Sequence, residues 1–204
     1  MNSDPKDLLQ LLQQRPHTET VTNPYRLPHR AANLSNYLAA MADRRGRRIL
    51  VIGEALGYRG GLGTGIPISS CGLFEQPPHP FLRRLAQDIH YKGEIREATA
   101  SIVWEYLADR RTLPLFWNAF PFHPHRPGET DSNRGPTQRE IREGLSALQL
   151  LAAWHRPERI AGLGRHGTRA AQIAFPDRQI VALRHPSYGG KREFIRGMDR
   201  LLGR

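Results

Sequence analysis

Three polar side chains stand directly behind apolar runs. Glu54 closes "ILVIGE", Asn118 closes "LPLFWN", and His185 follows "QIVALR" and opens "HPS". A carboxylate can steady a developing cation or orient a water. An amide offers a donor and an acceptor side by side, and an imidazole can donate to a growing anion. Singly, each has an ordinary reading: a solvated loop carboxylate, a turn-forming Asn, a structural His. Together they sit beside a glycine-rich loop carrying Gly57, Gly60, Gly61, Gly63 and Gly65. That loop is open to three readings: it holds nucleotide phosphates, it holds a DNA strand, or it holds nothing.

The nucleotide readings are weak. A P-loop needs GxxxxGK[ST], whose Lys meets the terminal phosphates. Gly60 and Gly65 have the spacing, but Ile66 and Pro67 occupy the places of Lys and Ser/Thr. A dinucleotide fingerprint must open directly into a helix, and Pro67 with the serines behind it makes a poor start for one.

Charge points to a polyanion. Thirty Lys and Arg against nineteen Asp and Glu give a net +11, and Lys6, Lys92 and Lys191 are the only lysines. Arginine presents a planar fork that matches phosphate oxygens. Nucleic acid is the simplest partner, with an arginine-rich genome composition as the plainer explanation. Cys71 is the single cysteine in 204 residues. A disulfide framework, a Cys-rich zinc site and a four-cysteine iron–sulfur cluster are thereby excluded within the chain. A reducing cytoplasm is the default location. No apolar run approaches membrane-spanning length and "MNSDPKDLLQLLQQ" does not read as a signal peptide.

The elements that must position these side chains follow from periodicity. Residues 1–28 read as a loose N-terminal arm, and 29–204 as one domain. "RAANLSNYLAAMADRRG" has helical spacing, "RRILVIG" is a buried strand, and residues 77–112 are mostly helical. "LPLFWN" is a second strand, followed by the proline-rich "FPFHPHRPGETDSNRGP". "TQREIREGLSALQLLAAWH" is the clearest helix, opened by a capping box of Thr137 and Glu140. "ERIAGLG" and "QIVALRH" give two more strands around the helix "RHGTRAAQIAF", and "REFIRGMDRLL" closes the chain as a helix. The pattern predicts a three-layer α/β/α sandwich with a four-stranded parallel sheet. Ligands of such sheets bind beyond the carboxyl ends of the strands, where Glu54, Asn118, Gly164 to His166 and His185 all fall.

From about Asn23 onward the chain resembles the uracil-DNA glycosylase superfamily. "GEALG" (53–57) is similar to the first motif of that superfamily, nearest the "GEAPG" form of its bacterial iron–sulfur branch, whose cluster cysteines are missing here. "WNAFPFHPHRPG" followed by "RGPTQREI" resembles the strand and loop that supply the base-reading Asn. "HPSYGG" (185–190) resembles the second motif.

The resemblance implies base flipping and cleavage of an N-glycosidic bond, with DNA as partner and neither cofactor nor metal. His185 would hydrogen-bond the base oxygen as charge develops, and Glu54 would steady the sugar cation and orient water. Asn118 would read the base edge, with Gly53, Ala55, Gly57 and Ile68 as the other base-binding positions. Arg59, Gly65, Ser187, Tyr188, Lys191 and Arg192 would face DNA, Tyr188 at the start of a wedge. Arg126, Arg134 and Arg165 are further phosphate candidates. His123 and His125 read as loop residues on the DNA side rather than as metal ligands. The chain departs from the family pattern at Ala55, Leu56, Gly57 and Ile68. Gly57 replaces the Tyr that blocks a thymine methyl, which favours a modified or damaged pyrimidine over uracil alone. Lys191 is the only lysine near a motif, so a monofunctional enzyme is expected. A DNA-binding relative with weakened catalysis is the alternative, and an enzyme acting on a free nucleoside or nucleotide is a third.

Overall fold

The computed structural model describes residues 4–187 and 189–203. In chain order its elements are α1 (Pro5–Gln14), β1 (Val21–Thr22), a 3-10 turn (Pro24–Arg26), α2 (Pro28–Ala42), β2 (Ile49–Ala55), α3 (Gly61–Thr64), α4 (Cys71–Glu75), α5 (Pro80–Leu85), α6 (Ala98–Leu107), β3 (Leu115–Phe120), β4 (His123–Pro124), α7 (Gln138–His155), β5 (Arg159–Leu163), α8 (Gly164–Ala174), β6 (Ile180–Leu183) and α9 (Lys191–Leu202). The four longer strands form one parallel sheet in the order β3-β2-β5-β6. The expected sandwich is what the chain forms.

Burial on both faces explains why β2 and β3 read as nearly unbroken apolar runs. Ile49 to Ile52 and Leu115 to Phe120 are all essentially inaccessible. Helices α7 and α8 pack against the sheet, and α8 lies so close that Gly167 leaves no room for a side chain beside the Ile52 carbonyl. On α6 and α9, Tyr106 and Phe194 meet edge to face, and Tyr106 donates to Asp199. The Tyr37 hydroxyl of α2 accepts from the Phe116 N–H at the outer edge of β3, which keeps that edge from pairing elsewhere. From β2 the chain moves outward to β3; from β5 it moves the other way to β6. The crevice between β2 and β5 is therefore the switch point where such sheets bind ligands.

Helix α7 begins as expected, with Thr137 and Glu140 exchanging both capping-box bonds. The segment expected as a loose arm is instead packed. Leu8 and Leu12 of α1 join the core, and α1 lies on α7 and α2. Asn23 is wholly buried and donates to the Leu12 and Arg15 carbonyls while accepting from the Tyr25 N–H. β1 pairs with β4, so the N-terminal segment also braces the loop after β3. The physical reason is amphipathicity: "LLQLLQQ" places its leucines on one helical face.

His155, at the end of α7, is buried under the lower edge of the sheet and its Nε2 faces the Ile49 carbonyl at 3.4 Å. Burial holds its pKa down to about 4. The unfolded chain binds this proton near pH 6.5 and the folded chain does not, so folding stability falls as pH drops from about 6.5 to about 4. The expected loss is on the order of 3 kcal/mol for this residue. Chemical denaturation at several pH values checks it, and His155→Gln, which keeps a donor for Ile49, flattens that part of the profile.

Candidate functional site

Parallel pairing of β2 with β3 sets Gly53 beside Asn118 and Ala55 beside Phe120. Glu54 stands at the carboxyl end of β2, in the motif between them. His185 follows β6 by two residues. All three predicted side chains open onto one cleft of about 760 Å³ at the carboxyl edge of the sheet.

Asn118 forms its floor. It is 1% exposed, and its Oδ1 is buried without a hydrogen-bond partner among the described residues. An unsatisfied buried acceptor costs about 1–3 kcal/mol, so this oxygen is poised for a donor from outside the chain. A Cβ at Gly53 would stand 2.6 Å from that oxygen and 3.2 Å from Ile68 Cδ1. Glycine at 53 is therefore what gives the Asn118 amide its place. Ile68 overhangs the same point, with φ of 51°, and its carbonyl accepts from Trp104 Nε1.

Glu54 is half-buried and its carboxylate makes no hydrogen bond or ion pair among the described residues. It lies against Gly135, where a Cβ would come 3.0 Å from Glu54 Oε1 and 4.0 Å from His166 Nε2. His185 packs on Gly164, and its Nδ1 accepts from the Ser187 N–H at 3.3 Å. With Nδ1 an acceptor, the proton of the neutral ring sits on Nε2. Burial holds this imidazole below its ordinary value, against the opposite pull of Glu97 and Glu54 and with some help from Arg184. Among the described residues the cleft thus offers a neutral ring with an unpaired Nε2–H, an unpaired carboxylate and an orphan acceptor.

The other predicted residues divide. Ala55, Gly57, Arg59 and Ser187 line the cleft with Gly53 and Ile68. Arg59 is exposed and unpaired among the described residues; Ser187 Oγ lies 3.4 Å from Thr99 Oγ1. Arg192 is exposed on α9, outside the cleft lining. Tyr188 lies outside the described residues. Gly65 does not face the cleft: its left-handed backbone packs on α2, and a Cβ there would meet the Arg30 carbonyl at 2.6 Å. Leu56 is buried against Gly61, so its side chain serves packing.

Lys191 pairs with Glu105 at 3.1 Å, Arg126 with Glu129, and Arg134 holds Glu140 through two nitrogens. Arg134 is thus committed to the start of α7. His123 and His125 are fully buried rather than DNA-facing. His123 bridges the Leu56 and Thr130 carbonyls, and His125 bonds Thr22 and Arg126. No cluster of metal-ligating side chains occurs among the described residues.

Glu97 and Asn133 were not anticipated. Glu97 caps α6, its two oxygens accepting from the Thr99 and Ala100 N–H groups, and its stem lies against Gly60 in the cleft wall. A Glu before "ATASIVW" reads only as a helix cap. Asn133 accepts from the Tyr58 N–H and so ties the loop after β3 to the glycine loop.

This sheet order and the placement of its loops define an α/β sandwich with its cleft at the carboxyl edge of a four-stranded parallel sheet. Among the solved structures of similar fold is that of SMUG2 from Pedobacter heparinus. The match has a TM-score of 0.60 and 13% sequence identity, and covers 97% of this chain and 95% of that one. The likeness is one of fold. No family model matches the sequence, and no curated protein matches it.

Two glycine substitutions separate the floor of the cleft from its rim. Gly53→Ala drives a methyl into Asn118 and Ile68 and is expected to cost about 1–3 kcal/mol. At Gly57 the only atom of the described residues, chain neighbours apart, within 4 Å of a Cβ is Asn133 Oδ1, at 3.7 Å, so Gly57→Ala is expected to leave the denaturation midpoint where it is. Urea titration of both variants reads the difference.

Proposed function

We propose that the protein is a monofunctional DNA glycosylase that flips a deaminated, damaged or C5-modified pyrimidine into the cleft and hydrolyses its N-glycosidic bond. The observation that carries this reading is the meeting of the unpartnered Asn118 Oδ1, the free Nε2–H of His185 and the free Glu54 carboxylate in one cleft. The fold shared with SMUG2 and the net charge of +11 support it.

Each group has a task. The Asn118 acceptor suits the N3–H of uracil or a C5-substituted uracil; cytosine has no hydrogen there. As the C1′–N1 bond breaks, its electron pair leaves with the base and negative charge gathers on O2. His185 Nε2–H donates to that oxygen, a preorganised contact that strengthens as charge grows. Glu54 faces the positive sugar and takes the proton of the water that adds to C1′. The base anion takes up a proton and Glu54 gives up the one it gained, by exchange with solvent, leaving the free base and an abasic site. Ala55 offers no polar group, which leaves water activation to Glu54. The three lysines lie outside the cleft lining, so no lysine amine there can form the imine that strand cleavage would need.

The test is incubation with oligonucleotides carrying uracil, hypoxanthine or C5-modified pyrimidines, followed by alkali. Alkali-labile breaks are expected, falling by ~100-fold or more in Glu54→Ala and in His185→Ala. Salt-sensitive DNA binding with no breaks on any substrate would favour the second reading, a DNA-binding relative with weakened catalysis, to which the apolar Ala55 lends support.

The single-turnover rate is expected to be flat through neutral pH and to fall only below the ordinary imidazole value. Protonation of Nδ1 would set a hydrogen against the Ser187 N–H. An acid limb at or above pH ~6.5 would contradict a neutral His185. Gly57→Tyr, whose Cβ would meet only Asn133 Oδ1 at 3.7 Å among the described residues, chain neighbours apart, is expected to suppress cleavage of bulky C5-modified substrates while sparing uracil.

A further inference from the structure

A second concavity joins the cleft at His185. It is an open trench of about 550 Å³ between α8 and the edge strand β6, lined by Gly164, Arg165, Thr168, Arg169, Gln172 and the segment from Ala182 to His185. No carboxylate of the described residues lines it. Arg165, Arg169 and Arg184 are all exposed, and none makes a hydrogen bond or ion pair among the described residues. Many arginines elsewhere are committed: Arg15 to Glu143, Arg110 to Asp199, Arg134 to Glu140, Arg159 and Arg178 to backbone carbonyls.

The placement also runs against the helix itself. Arg165 lies in the first turn of α8, where the dipole disfavours a cation, and "GRHGTRAAQIA" has no acidic residue to compensate. Arg169 follows Arg165 at the i, i+4 spacing, so the two guanidinium stems rise from one face about 6 Å apart. Arg184 stands across the trench at the end of β6. Three unpaired forks facing a channel without an acid are suited to a chain of phosphates.

We infer that this trench carries the sugar–phosphate backbone of duplex DNA flanking the nucleotide held in the cleft. The inference rests on the glycosylase reading for its orientation. It makes the substrate a polymer that extends past the catalytic residues rather than a free nucleotide.

Salt dependence of binding to an undamaged duplex, followed by fluorescence anisotropy, tests it without requiring base cleavage. Each lost phosphate contact lowers the slope of log affinity against log salt by about 0.9. Arg169→Ala with Arg184→Ala is expected to lower it by about 2. Lysine at both positions should restore it. Arg83→Ala with Arg84→Ala removes the same charge from α5, beside Arg44 near the other edge of the sheet, and should leave the slope unchanged. An unaltered slope in the trench variant, an equal drop in the α5 variant, or a drop seen only with single-stranded DNA would each overturn the proposal. Abasic-site formation reads the glycosylase independently. Breaks without a slope change would keep the enzyme and remove the trench; a slope change without breaks would do the reverse.

Discussion

The register of β2 against β3 is the constraint on which the site depends. It sets Gly53 beside Asn118, and the missing Cβ at 53 is what leaves room for the amide on the cleft floor. A one-residue slip would turn Asn118 to the other face of the sheet and bury a polar group among aromatics. The apolar strand residues around it leave little choice, because Trp117, Phe116 and Phe120 are each packed to near-zero exposure. The register is thus held by core packing, while its most consequential product is a hydrogen-bond acceptor without a partner among the described residues.

Around that floor, separate parts of the chain arrive by separate routes. The glycine loop passes over Glu97, and the loop after β3 passes Glu54 at Gly135. The segment after β6 brings His185 onto Gly164. What keeps these loops together is a set of local ties rather than a second core. Tyr58 bonds Asn133, His123 bonds Leu56, and Arg134 bonds Glu140 and the Thr20 carbonyl. Through the last of these, the N-terminal segment belongs to the scaffold of the site, although none of its described residues lines the cleft.

The strands and the longer helices were legible in the sequence because each carries a strong period or a cap of its own. The Thr137–Glu140 box and the leucine spacing of α7 are local facts. The three cleft residues were legible because each follows an apolar strand, and parallel sheets gather strand ends along one edge. What was not legible depends on long-range approach. Nothing near Gly65 announces the Arg30 carbonyl, and nothing near Arg134 announces its commitment to Glu140 and Thr20. A histidine pair between prolines looks the same whether it faces solvent or, as here, lies buried under a loop. The short 5–14 helix was missed because its leucines matter only once α7 and α2 are beside it.

Ile68 carries a further consequence. A β-branched residue at φ of 51° occupies backbone territory that glycine enters freely, and such outliers cost on the order of 1–3 kcal/mol. Selection for stability alone would drift this position toward Gly or Asn. Each of these would relax the backbone and remove the aliphatic cover above Asn118. The folded chain therefore stores strain at the mouth of its own pocket, where robustness and selectivity are set against each other at a single residue.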